Sequence, residues 1–164
     1  PSDFDVDLRK MRAQRQDGSC DWFQRLGKYR GWVNSRYHTH AILWVYGAPG
    51  CGKSVLASSI IDHLKEATDK PILYFFCKND NVDKNSSLAV LRSLIAQLLL
   101  WAPGLLTHIE GSFQKSGKRQ IDSFYALLPI FLTCLANART GYIVIDGVDE
   151  CDESAISDLC SATK

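Results

Sequence analysis

The eight residues Gly47-Ala48-Pro49-Gly50-Cys51-Gly52-Lys53-Ser54 fit the pattern G-x-x-x-x-G-K-[ST], whose chemistry is the cradling of phosphates by backbone N–H groups. Glycines at 47, 50 and 52 permit positive φ, so successive N–H groups can turn inward around an anion without Cβ clashes. Lys53 would meet the β- and γ-phosphates as a compact point charge, and the Ser54 hydroxyl would ligate the Mg²⁺ that bridges them. The binding set read from this run is Gly47, Ala48, Pro49, Gly50, Cys51, Gly52, Lys53, Ser54 and Val55. The bland alternative is a glycine-rich turn that carries a lysine by chance.

A second set lies far downstream. Tyr142-Ile143-Val144-Ile145-Asp146 is an apolar run that ends in a carboxylate and is followed by Gly147-Val148-Asp149-Glu150. A buried strand delivering Asp146 to the carboxyl edge of a sheet would hold it near Mg²⁺, and Asp149 and Glu150 could polarise an attacking water. The further acids Asp152 and Glu153 read as a solvated helix start.

Elements of definite type must position these groups. The run Ala41 to Tyr46 predicts a strand entering the glycine loop, and Ser54 to Lys65 predicts a helix whose N-terminus faces the same anion. Pro71 opens a strand over Ile72 to Cys77, unbroken in apolar character as in a parallel sheet covered on both faces. Lys78 to Asn85 reads as a polar loop, either facing a ligand or simply solvated, and Ser86 or Ser87 caps a helix from Leu88 to Trp101. Another helix should run from Phe124 to Ala138 with Pro129 as a possible kink, after a loose break over Gly111 to Gly117. Strands alternating with helices give an α/β fold, a three-layer phosphate-loop core built on a parallel sheet.

Composition narrows the functional classes. At 164 residues, with 46% hydrophobic and 23% charged, the chain can bury a real core. A net charge of +1 leaves no electrostatic footprint for nucleic acid. The longest apolar runs are strand-sized or interrupted, as Leu94 to Ala102 is by Gln97, which predicts no membrane span. The N-terminus lacks the pattern of a secretory signal and the six cysteines form no C-x-x-C pair, so a cytoplasmic setting is expected.

The remaining chemistry-bearing residues have structural readings. Trp22, Leu26, Tyr29 and Val33 recur at helical spacing and are expected to pack on the sheet and shape a base pocket, rather than to stack single-stranded nucleic acid. His38 and His40 have no metal-ligating partners near in sequence, and His63 and His108 read as surface or boundary residues. Cys51 reads as filler in the loop.

Cys20-Asp21-Trp22-Phe23 with Tyr29 and Trp32, Gly47 to Ser54, the Phe75-Phe76 strand with Leu91 to Leu98, and Ile143 to Glu150 together resemble the NACHT class of signal-transducing P-loop NTPases, in particular its nephrocystin-3-like N-terminal module. The resemblance covers roughly Cys20 to Cys151. It makes Gly47–Ser54 a Walker A loop and Asp146 with Gly147, Asp149 and Glu150 a Walker B element. It implies an ATP-preferring, sometimes GTP-binding, switch with slow turnover that self-associates and couples effector to sensor domains. Residues 1–19 are then expected as a linker or the end of an upstream segment, and 20–164 as a partial NTPase domain truncated after the Walker B strand. In this class the next strand inserts between the phosphate-loop and Walker B strands, so an open sheet and exposed apolar surface are expected. A nucleotide-dependent oligomerisation scaffold without turnover, and a small-molecule kinase on the same loop, are the alternative readings.

Overall fold

The computed structural model describes residues 4–34, 42–81, 84–107, 123–138 and 141–161. Its centre is a two-stranded parallel sheet of β1 (Ile72–Phe76) and β2 (Tyr142–Asp146), in register from Ile72 opposite Tyr142 to Phe76 opposite Asp146. The fold class is α/β. Helices α1 (Phe4–Gln14), α2 (Asp21–Gln24), α3 (Gly27–Val33) and α4 (Lys53–Ala67) precede the sheet in the chain. Helices α5 (Ser87–Trp101) and α6 (Phe124–Asn137) lie between its strands, and α7 (Glu153–Ser161) follows.

Alternation along β1 sends successive side chains to opposite faces. Leu73 and Phe75 join Leu94, Leu98, Leu127 and Phe131 in the core shared with α5 and α6, whereas Tyr74 and Phe76 join Leu8, Ala57 and Ile61 from α1 and α4. Helices therefore cover both faces of β1, which is why its sequence is apolar without a break. β2 is only half-buried along its length.

Local signals act as the sequence predicts at several joints. The Ser86 hydroxyl accepts from the Ala89 N–H at 3.2 Å and caps α5. α6 continues through Pro129, and Thr133 Oγ1 donates to the Pro129 carbonyl. On the outer edge of β1, Gln97 Oε1 accepts from the Tyr74 N–H at 3.0 Å while Gln97 Nε2 donates to the Tyr74 carbonyl at 2.7 Å.

Two expectations are corrected. Residues 42–46, read as the strand entering the glycine loop, form no strand, and the run stands exposed, with Trp44 at 64% and Tyr46 at 86%. A strand needs a partner for its N–H and C=O groups. Among the described residues β2 offers the free groups of Ile143 and Ile145, because Tyr142 N–H and the Asp146 carbonyl already point to β1. The segment lies across a groove from β2 without pairing to it. The stripe Trp22, Leu26, Tyr29, Val33 is also broken: Leu26 is extended between α2 and α3, which resets the helical phase and leaves Trp22 and Leu26 exposed while Phe23 and Tyr29 are buried. Helix α1, within the residues 1–19 expected as a linker or the end of an upstream segment, is docked on α4 and β1 with Leu8 fully buried. His38, His40, His108 and the break over Gly111 to Gly117 lie outside the described residues.

Candidate functional site

The glycine loop takes a shape suited to an anion. Gly50 and Gly52 hold φ of 75° and 88°, a region that favours glycine, and Gly52 forms the N-cap of α4 with no capping side chain. The first N–H groups of α4, from Lys53, Ser54 and Val55, are thus presented at an uncapped helix start. Gly47 does not share the positive φ expected of it. Its lack of a side chain serves close packing instead, since a Cβ there would stand 3.0 Å from Cys51 Sγ. Cys51 itself is exposed, as are Ala48 and Pro49.

Lys53 is folded back on its own loop. Its Nζ donates to the Gly47 carbonyl at 3.0 Å and to the Ala48 carbonyl at 3.1 Å. These neutral acceptors hold the ammonium where a phosphate oxygen would draw it away, because a charge-assisted hydrogen bond is roughly twice as strong as a neutral one.

Asp146 arrives from the other side of the site at the carboxyl end of β2. Its pKa is raised above the ordinary 3.8 by burial and by Asp149, against the hydrogen bond from Ser54, the Lys53 charge and the Gly147 N–H, which all act to lower it. Ser54 and Asp146, remote in sequence, are thus hydrogen-bond partners, with Lys53 close enough to be felt. A hydroxyl beside a partly desolvated carboxylate is a pair of oxygen donors suited to a hard divalent cation.

The turn after Asp146 depends on Gly147. Its φ is 69°, and a Cβ would meet the Cys77 carbonyl at 3.1 Å. Glu150 N–H donates to the Gly147 carbonyl at 2.8 Å, closing a 3₁₀ turn over Val148–Glu150. Gly47, Lys53, Asp146 and Asp149 line one groove of about 390 Å³, whose other walls are apolar: Trp32, Leu43, Ile60 and Ile145 among them. Glu150 is exposed and does not line this groove. Of Trp22, Leu26, Tyr29 and Val33, expected to shape a base pocket, none lines this groove; Trp32 does.

A larger cavity of about 670 Å³ lies at the opposite, amino end of the strands among Arg25, Arg30, His63 and Lys70. Tyr29, whose phenol burial and the nearby Tyr142 push up to about 12, hydrogen-bonds His63 Nδ1 there at 2.8 Å. This pair ties α3 to α4 and stands apart from Lys53 and Asp146. Among the described residues no cluster of His, Cys, Asp and Glu has the makings of a metal site of its own, and no helix is long and apolar enough to cross a membrane.

Residues 18–163 match the family model described as Nephrocystin 3, N-terminal. The chain is 36% identical over 155 residues to the vegetative incompatibility protein HET-E-1 of Podospora anserina, an alignment that takes in 88% of this chain and 11% of that protein. The chain therefore spans about a tenth of the length of the curated relative it matches. No solved structure matches it at a significant level.

Proposed function

This chain belongs to the Nephrocystin 3, N-terminal family, and from that premise we propose that residues 20–164 form a P-loop NTPase core that binds Mg²⁺ and a nucleoside triphosphate, ATP in preference to GTP, as a signal-transduction switch. The observation that carries this reading is the meeting of Ser54 with Asp146 beside Lys53, next to a loop whose Gly50 and Gly52 hold positive φ. The donor chemistry fits the ion. When bound, Mg²⁺ would neutralise charge on the β- and γ-phosphates.

The chain's own residues supply the rest. The N–H groups of the loop and of the first turn of α4 receive phosphate oxygens. Lys53 exchanges the carbonyls of Gly47 and Ala48 for phosphate, so binding releases the loop from its internal clamp. Ser54 and Asp146 are the proposed metal-holding pair, Asp149 lines the groove with Asp146, and Asp149 and Glu150 are the proposed water-polarising acids. Both acids are exposed, and Asp149 is the one that lines the groove, which favours it as the nearer of the two. That exposure also keeps a second reading in view, a nucleotide-dependent scaffold without turnover. The family relationship supports a signalling context, and self-association or effector and sensor domains are the partners proposed for it, in a cytoplasmic setting.

Equilibrium binding of fluorescent ATP and GTP analogues with Mg²⁺ tests the reading against Lys53→Ala. Loss of a charge-assisted phosphate contact predicts a Kd at least tenfold weaker, on the order of 1.5–3 kcal/mol. Equal binding by both proteins, or none by either, would overturn it. Asp149→Asn and Glu150→Gln then separate switch from scaffold: a hydrolysing switch keeps binding and loses turnover.

A further inference from the structure

Helix α1 lies outside the stretch that matches the family, which begins at residue 18, yet it is tied to the rest of the chain at three places. Asp7, only 4% exposed, pairs with both Lys78 and Lys84. Asp5 accepts from the Tyr74 hydroxyl at 2.6 Å. Arg12 and Arg15 both pair with Asp62 on α4, Arg12 through Nε at 2.9 Å and Arg15 at 2.9 Å. Between these ties Leu8 is sealed against Ala57, Ile61, Tyr74 and Phe76.

The ends of these ties matter. Lys78 and Lys84 bracket a turn closed by Lys78 N–H to the Lys84 carbonyl at 3.0 Å. That turn is stitched to the acidic segment by Cys77 N–H to the Asp146 carbonyl at 2.9 Å on one side and by Asp152 N–H to the Asn85 carbonyl at 3.0 Å on the other. Asp62 belongs to the helix that begins at Lys53. One short helix therefore grips both halves of the site: the element that carries Lys53 and Ser54, and the turn that borders Asp146 to Glu150.

We propose that α1 is a strap that couples the chain's N-terminal end to the phosphate site, docked when Asp7 bridges Lys78 and Lys84 and released when that bridge opens. Two buried-to-half-buried cations meeting one buried carboxylate give an arrangement with discrete made and broken forms, since an intermediate would leave a charge unpaired. Coupling is reciprocal: whatever releases α1 loosens the acidic turn, and a ligand that tightens the turn holds α1 down. The nucleotide half of this statement rests on the function proposed above, and the mechanical half does not.

Hydrogen–deuterium exchange on the whole chain separates the two. Wild type is compared with Asp7→Asn and with the triple variant Asp7→Asn/Lys78→Gln/Lys84→Gln, which leaves no orphaned charge should the single change unfold the protein. Without ligand, the strap requires exchange at least tenfold faster over residues 5–14 and at least threefold faster over 78–81 and 147–152, with β1 and α5 unchanged. An acidic turn that exchanges at the wild-type rate beside a loosened α1 would overturn the proposal, and so would an α1 that stays protected. With Mg²⁺ and a non-hydrolysable ATP analogue, absence of Lys53-dependent protection over 47–55 counts against the proposed function and leaves the ligand-free comparison to decide the strap. Where the analogue binds, its Kd must weaken at least threefold in the triple variant, and an unchanged Kd refutes the coupling.

Discussion

At Gly147 two constraints meet in one residue. Its φ of 69° is costly for an L side chain, and a Cβ would sit tightly against the Cys77 carbonyl at 3.1 Å. Gly147→Ala should therefore destabilise the fold by about 2 kcal/mol or more, while Gly104→Ala, with open space around its Cβ position, should change stability by less than about 1 kcal/mol; urea unfolding compares the two. Asp7 makes a different residue-scale prediction. Burial pushes its pKa up, and the hydrogen bonds and charges of Lys78 and Lys84 outweigh that push, holding the carboxyl below its ordinary 3.8. The folded protein binds this proton more weakly than the unfolded chain does. Its contribution is therefore complete above the unfolded value of about 3.9 and is lost as pH falls through the lower folded value. The gap in urea midpoint between wild type and Asp7→Asn, worth about 2–3 kcal/mol at pH 7, should narrow as the titration is repeated at pH values falling below about 3.9. A gap independent of pH would show that the ion pairs do not carry it.

Among the elements, α5 illustrates what a sequence can and cannot disclose. Its capping serine, its length and its apolar faces are local properties, and all were legible. The task of Gln97 was not. Read in sequence it is a polar interruption of an apolar run, and only the fold sets it beside the Tyr74 backbone, where it fills both main-chain positions. Gln97→Leu leaves a buried N–H and a buried C=O without partners, which should cost about 2–4 kcal/mol in urea unfolding. The same distinction explains the other differences. β1 and β2 were legible because each is a short apolar run bounded by turn residues, and the Lys53, Ser54 and Asp146 positions because glycine spacing and a terminal carboxylate are written locally. The run Ile42 to Tyr46 carries the same apolar signal and forms no strand, because pairing is decided by a neighbour rather than by the run itself. The helical phase of Trp22 and Leu26 failed at one extended residue, and the docking of α1 depends on lysines some seventy residues away.

Over the whole molecule, stability is distributed unevenly. Helices cover both faces of β1, whereas the segment 42–46 exposes Trp44 and Tyr46 beside a groove of apolar walls. Native-state amide exchange should reflect this: slowest in β1 and α5, fastest in 42–48, and slowed over 47–55 when Mg²⁺ and an ATP analogue are added. Uniform protection across these segments would contradict the packing described. One consequence follows from the Gln97 bond to Tyr74. In the language of valence, the two edges of the sheet differ: Gln97 occupies the bonding positions of Tyr74 in the middle of one, while the flank presenting Ile143 and Ile145 stands open. A further strand, from whatever source, that adds to this open flank borders Lys53, Asp146 and Asp149. Growth of the sheet there and occupation of the site thus meet in the same region of the molecule, and neither event can be indifferent to the other.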